Sequence, residues 1–304
     1  MLQKKDTILK IGSHFMNPLR KKYILHPYCA WLYFKRELPY RLRGTFSWEA
    51  NYSKLVLKKH TPRIDEEAIV SYWSKRKYRK ATSVIYTCIT NNYDDINEIA
   101  CPYYINHNWD YVCYTDNQDD IKKGKVGVWE IRPLEFSTLD NTRNNRWHKT
   151  HPHILFPDYH SSIYIDANID ILSPWLFNAA ENSNEKIFLP RHYFRNCIYD
   201  EFSTVLIEFL DDIKTILSLR KIIKKSGMPP NYGLTENNII FRKHHDPGIK
   251  MLMENWWEII KHHSKRDQLS LSWLLWKQRI PINEISRPNV RDMPEDLIVF
   301  GHKH

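Results

Sequence analysis

The chain has 304 residues, 42% hydrophobic and 13% aromatic, enough to bury a large core and too apolar for a disordered protein. Its five cysteines (Cys29, Cys88, Cys101, Cys113, Cys197) are odd in number and form no C-x-x-C pair, which argues against a disulfide framework or a zinc ribbon and for a reducing compartment. The net charge of +10 sits in the N-terminal quarter: residues 1–80 hold 19 Lys and Arg against 6 Asp and Glu, and residues 81–304 hold 26 against 29.

Residues 1–80 interleave those charges with aromatic and apolar residues, as in Tyr23-Ile24-Leu25 and Tyr28 through Arg36. Two readings stand. One is a basic helical extension that packs its aromatics on the main domain; the other is docking on an anionic membrane surface. Nucleic acid would attract the same charge, but no nucleic-acid motif is present and no such partner is expected. No apolar stretch approaches the roughly 20 residues of a membrane span, and no signal-peptide core is visible. The expected location is cytoplasmic, with peripheral contact at the inner face of the cell membrane.

From residue 82 the pattern changes, and Ser71–Lys80 reads as the boundary between an extension (1–80) and a folded domain (81–304). The β-branched and aromatic run 83–90 predicts a strand and 91–95 a loop. A second strand, 110–115, closes at Asp116-Asn117, and a third, 126–131, stops at Pro133. Residues 145–156 read as a helix, and 163–165, 187–190 and 239–241 as further strands. A Gly- and Pro-punctuated loop, 227–234, has the character of a pocket wall and leads to Glu236. An amphipathic helix over 269–278 follows Arg266-Asp267-Gln268. Short strands alternating with helices predict an α/β sandwich with a largely parallel sheet, which binds ligands beyond the carboxyl ends of its strands.

The most informative motif is Asp166-Ala167-Asn168-Ile169-Asp170, at the end of the strand 163–165. Alternation along an extended backbone would place Asp166, Asn168 and Asp170 on one side. Three hard oxygen ligands suit Mg²⁺ or Mn²⁺, ions that keep positions open for substrate phosphates. A polar turn closing the strand is the competing reading. Arg146 and Lys149, spaced i, i+3, share a helical face and can meet phosphate oxygens, unless that face is simply solvated. Asp116 can accept hydrogen bonds from a nucleotide's base or ribose, or cap its own turn. Asp267 can be a pocket carboxylate or a helix cap.

The blocks IYTCITNNYDDI, DYVCYTDN, GVWEIR, RWHKTHPHILFP, YIDANIDI, CIYDE, GMPPNYGLTENNIIFRKH and RDQLSLSWLLWK run in order over 83–304. In them the chain resembles the glycosyltransferase-like family of the plant turgor-regulation and mucilage-related proteins and their bacterial relatives. The resemblance implies a GT-A-type fold: a Rossmann-like mixed, mostly parallel sheet flanked by helices. It implies a nucleotide-sugar donor, UDP-linked, a divalent Mn²⁺ or Mg²⁺ ion, and a saccharide or lipid-linked glycan acceptor in surface polysaccharide synthesis. By that resemblance Asp166 and Asn168, with Asp170, form the metal and diphosphate motif, with Asn168 in the second slot of the common GT-A Asp-x-Asp pattern. Thr90-Asn91-Asn92 departs from the pattern, standing where relatives tend to carry glycine; Thr90 and Asn92 are expected to contact the nucleotide, beside Asp116, Arg146 and Lys149. Asp267 resembles the Asp of the Asp-Gln pair of family 8 glycosyltransferases, and with Glu236 it is the candidate catalytic carboxylate: a general base if the enzyme inverts, a donor-binding group if it retains. A late metal ligand near the C-terminus falls on His302 or His304, with His302 preferred because it follows Gly301. A metal-dependent hydrolase and a non-catalytic binding protein on a degenerate scaffold remain alternatives.

Overall fold

The computed structural model describes residues 26–38, 57 and 59–303. Ten strands lie among them: β1 (Ser83–Ile89), β2 (Trp109–Thr115), β3 (Lys125–Val126), β4 (Trp129–Pro133), β5 (Ser161–Ile165), β6 (Ile169–Ile171), β7 (Ile187–Pro190), β8 (Ile239–Arg242), β9 (Ser286–Arg287) and β10 (Leu297–Val299). The helices needed to place the site are α1 (Pro27–Leu32), α2 (Glu66–Arg76), α3 (Asn141–Thr150), α4 (Ile198–Ile207), α5 (Ile213–Lys225), α6 (Pro247–His262) and α7 (Leu271–Lys277). The main sheet runs β3-β4-β2-β1-β5-β8-β7-β9, and β6 pairs with β10 in a separate ribbon. β4, β2, β1 and β5 are parallel neighbours, while β8 runs against both β5 and β7. This is the mixed, mostly parallel α/β fold that the sequence predicts.

Both faces of the sheet are covered, so its central strands are apolar almost throughout. Val84, Tyr86 and Cys88 of β1 face Leu252, Trp256 and Ile260 of α6 and Leu274 of α7. Ile85 and Ile89 face the opposite layer, with Tyr72 of α2, Trp109 and Tyr111 of β2, Trp129 and Phe177. The alternation of β1 thus divides two cores, and the strand's carboxyl end is left to the polar residues that follow it.

The region expected to form one helix over 145–156 is two. Pro152 lacks an N–H and interrupts the ladder, so α3 ends at Thr150 and a separate turn, Pro152–Leu155, follows. α3 also starts earlier than expected, at Asn141. The Asp140 carboxylate accepts the Arg143 backbone N–H at 3.2 Å, a cap that contributes about 1 kcal/mol. The helix expected over 269–278 opens as a 3₁₀ turn, Asp267–Leu269, before α7.

The boundary expected at 71–80 falls inside packed structure. Tyr72 is fully buried against the sheet, Trp73 Nε1 donates to the Gly127 carbonyl at 2.8 Å, and Arg76 bridges Asp110 and Glu130 at 2.9 and 2.7 Å. Residues 59–80 are therefore continuous with the folded body. Upstream, Cys29 and Leu32 of α1 bury against a core that includes Phe202 of α4 and Ile216 of α5, while Trp31 and Phe34 are exposed. Most of the segment assigned to membrane docking, residues 1–25 and 39–56, lies outside the described residues. Among the described residues no helix is long and apolar enough to cross a membrane.

Candidate active site

A cleft of about 730 Å³ opens where β1 and β5 end. It gathers residues distant in sequence: Thr90 after β1, Asn145, Arg146 and Lys149 of α3, Tyr164, Asp166 and Asn168 around the end of β5, Glu236 to Asn238 before β8, Lys265 to Gln268, Arg291 and His302. The parallel strands put their carboxyl ends side by side, and α3, crossing from β4 to β5, turns one face over them.

That helical face is not solvated. Lys149 is 1% exposed, and its ammonium lies 3.4 Å from Asp166 Oδ1 and 3.2 Å from Asp267 Oδ2. It donates to the Asn237 carbonyl at 2.9 Å and stands over the Tyr164 ring, 4.5 Å from the centroid. Arg146 Nε is 3.4 Å from the same Asp267 oxygen. The C-terminal end of α3 is fixed from below. Tyr86 Oη donates to the His148 and Lys149 carbonyls, and the fully buried Arg242 donates to the Lys149 carbonyl at 2.5 Å and to Tyr86 Oη at 2.7 Å. A cation at carbonyls of a helix C-terminus is favourably placed.

Asp267 is neither a helix cap nor a free base. Burial alone would raise its pKa, but the charges of Arg146, Lys149 and Arg266 hold the carboxyl well below the usual carboxylate range. A group held ionised so firmly is a poor proton acceptor. Its environment is that of a charge-paired group, shared by Arg146 and Lys149. Glu236 is also tied, both oxygens lying 2.9 and 2.7 Å from Arg291 Nη1 and one accepting from Asn238 Nδ2 at 3.0 Å. The loop 227–234 does not line the cleft. Met228 and Leu234 are buried, and Gly233, at φ +119°, packs so closely that a Cβ there would meet Ile282 Cγ2 at 2.9 Å. Met228 and Leu234 build core, while Gly227, Pro229, Pro230 and Asn231 are exposed.

The expectation that Asp166, Asn168 and Asp170 converge is corrected by the backbone. After β5 the chain turns, the Ile169 N–H bonding to the Asp166 carbonyl, so the two-residue alternation breaks. Asp166 and Asn168 line the cleft; Asp170 does not. The Asp170 carboxylate is buried on β6, 2.9 Å from His60 Nε2. Asn168 donates its amide N–H to the Phe300 carbonyl at 2.8 Å. His302 Nδ1 lies 2.9 Å from the Asp94 carboxylate, and its ring packs on Tyr93. Burial opposes charge on this imidazole, but the Asp94 carboxylate outweighs it and raises the pKa. Tyr93, Asp94, Arg266, Asn237 and Arg291 carried no sequence signal that singled them out. His304 lies outside the described residues.

Asp116 and Asn92 stand just outside the cleft lining, beside Asn91, which belongs to it. Both Asp116 oxygens accept the Asn91 N–H, at 3.0 and 2.9 Å, and Asn92 Oδ1 accepts from Asn117 Nδ2 at 3.0 Å. Asn91 and Asn92 have φ of 55° and 50°. They adopt the left-handed conformation that glycine takes without strain and that asparagine tolerates, so the loop keeps a glycine-like backbone. Thr90 lines the cleft, its hydroxyl donating to the Asn141 carbonyl at 3.0 Å.

A divalent ion fits the chemistry of this edge of the cleft. Asp166 offers a carboxylate whose side chain is 29% exposed; Asn168, its amide N–H committed to Phe300, offers an amide oxygen; His302, its Nδ1 committed to Asp94, offers Nε2. Among the described residues no three His, Cys, Asp or Glu side chains converge into a ready cage. An ion there would need substrate oxygens to complete its shell, as is usual for Mg²⁺.

A mixed α/β domain whose polar cleft sets lysine and arginine beside a strand-end carboxylate has the layout of a glycosyltransferase-like protein. The chain belongs to the family described as TOD1/MUCI70, glycosyltransferase-like domain, which matches residues 56–291. A comparison with curated proteins gives no match. Similar solved structures include the glycosyltransferase GlyE of Streptococcus pneumoniae TIGR4, at 9% identity and TM-score 0.37 over 67% of this chain and 44% of that one. The WbbM bifunctional glycosyltransferase is 10% identical, with TM-score 0.40 over 68% of this chain and 38% of that one. Mouse xyloside xylosyltransferase 1 is 11% identical, with TM-score 0.39 over 68% of this chain and 84% of that one. The chain thus spans less than half the length of the first two, and the family match carries the assignment.

Proposed function

We propose that the protein is a GT-A-type glycosyltransferase of the hexosyltransferase class, moving a sugar from a UDP-linked donor to a saccharide or lipid-linked glycan acceptor in surface polysaccharide synthesis. One observation carries the reading: Arg146 and Lys149 converge with Asp166 and Asn168 at the carboxyl ends of β1 and β5, the place where an open α/β sheet takes its ligand. The two cations are anchored by Asp267, so they are oriented before a ligand arrives. Donors already in position can stabilise the charge that develops on a departing diphosphate without reorganising. Asp166, Asn168 and His302 would hold a Mn²⁺ or Mg²⁺ ion, which when bound would offset charge on that diphosphate.

Each carboxylate lining the cleft among the described residues is already paired: Asp94 with His302, Asp140 with Arg143, Asp166 and Asp267 with Lys149, Glu236 with Arg291. An inverting enzyme needs a carboxylate free to take the acceptor's proton. With Asp267 and Glu236 both held in ion pairs, we read them as donor-site residues, the role that retention would leave them. Contact with an anionic membrane face through residues 1–80 would bring a lipid-linked acceptor to the cleft.

Calorimetric titration with UDP, GDP and ADP, with and without Mn²⁺, tests the reading. UDP binding that Mn²⁺ strengthens, and that Arg146→Met weakens at least about ten-fold by removing a charged hydrogen-bond donor, is the expected result. A folded protein that binds none of the three overturns it. The anomeric configuration of the first product formed, read by proton NMR, decides retention.

A further inference from the structure

Asp170 was expected to line the site with Asp166 and is instead buried outside the cleft, with a partner from far upstream. His60 precedes α2, in the segment that the sequence separates from the folded domain, yet its side chain is 3% exposed and the Asp170 carboxylate 1%. His60 Nε2 meets Asp170 at 2.9 Å, and His60 Nδ1 lies 3.4 Å from Glu98. The imidazole stacks on Phe300 with centroids 4.2 Å apart and planes 12° from parallel.

Phe300 is the hinge of this arrangement. Its carbonyl accepts the Asn168 side-chain N–H at 2.8 Å, and its N–H donates to the Asn168 carbonyl at 3.0 Å. Those two bonds extend the pairing of β10 with β6, where Val299 faces Ile169. They hold the Asn168 amide with its oxygen free. Two residues past Phe300 is His302. The residue that His60 stacks on is thus bonded through its backbone to Asn168 and stands two positions before His302, although His60 itself lines no part of the cleft.

We propose that His60 is a positioning residue: bonded to Asp170 and stacked on Phe300, it fixes the backbone that presents Asn168 and His302 to the donor site. The inference rests on the donor-site reading above. It gives the buried carboxylate of the Asp-Ala-Asn-Ile-Asp motif a supporting role and makes residues upstream of the sheet part of the site's construction. A partner that orients a ligand from outside is worth about 10- to 100-fold in metal affinity.

The test uses the full chain and two readouts: amide hydrogen exchange over residues 297–302 without metal, and calorimetric affinity for UDP with and without Mn²⁺. His60→Ala is expected to lose protection at the Phe300 amide and at least about ten-fold of Mn²⁺-dependent UDP affinity, with affinity for UDP alone unchanged. Because this variant leaves a buried carboxylate unpaired, the double variant His60→Ala with Asp170→Asn is measured beside it. It should regain thermal stability and not the Mn²⁺ response. Recovery of both in the double variant, wild-type protection at Phe300 in either, or failure of both to fold would overturn the proposal, since each makes the pair a matter of stability alone. If wild-type protein itself shows no Mn²⁺-dependent UDP binding, the functional reading fails separately, and exchange at Phe300 still judges the clamp.

Discussion

Replacing Asp267 by asparagine keeps the side chain's shape and an oxygen for the Gln268 N–H, 3.1 Å away, but removes the charge shared by Lys149 and Arg146. At an effective dielectric of about 20, the 3.2 Å contact with Lys149 corresponds to roughly 5 kcal/mol and the 3.4 Å contact with Arg146 to about the same. Desolvation of the buried carboxylate offsets much of this, and breaking such a buried pair nets about 3–5 kcal/mol. At roughly 2–4 °C per kcal/mol for a domain of this size, the variant should melt on the order of 10 °C lower. The pH dependence has a definite sign. The folded-state pKa of Asp267 is depressed, so its contribution is fully present above the unfolded value of about 3.9 and is lost as pH falls through the lower folded value. The gap in Tm between wild type and Asp267→Asn should therefore stay constant from about pH 6 to 8 and narrow only below about pH 4. Differential scanning calorimetry across that range measures it. A gap under about 2 °C at neutral pH, or one that closes already near pH 6, would refute the ion-paired assignment.

Asp166→Ala should leave Tm within about 2 °C, because a partly exposed strand-end side chain contributes little packing, while Mn²⁺-dependent UDP binding is largely lost in calorimetry; unchanged binding would remove Asp166 from the site. Truncation after Phe300 keeps the Asn168 pairing but deletes His302, and should weaken Mn²⁺-dependent UDP binding more than metal-free binding, with equal losses counting against the imidazole as a ligand. Deleting residues 1–25 should reduce sedimentation with vesicles containing anionic lipid and leave UDP affinity intact. The cut stops short of Cys29 and Leu32, which bury in the helical core, and vesicle binding that survives both the deletion and raised salt would discount the membrane reading.

Much of the molecule was legible without tertiary contacts. A strand buried on both faces must be apolar throughout, so β1, β2, β5, β7 and β8 stood out within two residues of their ends. The largely parallel character of the sheet followed from helices alternating with strands, whereas the order of β4, β2, β1 and β5 is seen only in the structure. Helical spacing put Arg146 and Lys149 on one face, and the polar pentapeptide after β5 marked the ligand end of the sheet. These features are local: periodicity, composition and chain breaks such as Pro152 act over a few residues.

What the sequence left open depends on groups brought together over long distances. Whether Asp267 is a base or an anchor depends on Lys149 and Arg146, more than a hundred residues upstream, whose charges determine its proton affinity. Asp170 turns away from Asp166 because a single turn resets the alternation, and its buried carboxylate is satisfied by His60, from far upstream, together with the Ile171 backbone N–H. The basic N-terminal quarter looked separable because charge dominates its composition. Tyr72, Trp73 and His60 nonetheless bind residues 59–80 to the sheet, since a few aromatic contacts with the core outweigh many solvated lysines. Residue types determine which elements form and where a ligand can approach; the fold alone determines which charges meet, and therefore what chemistry each can perform.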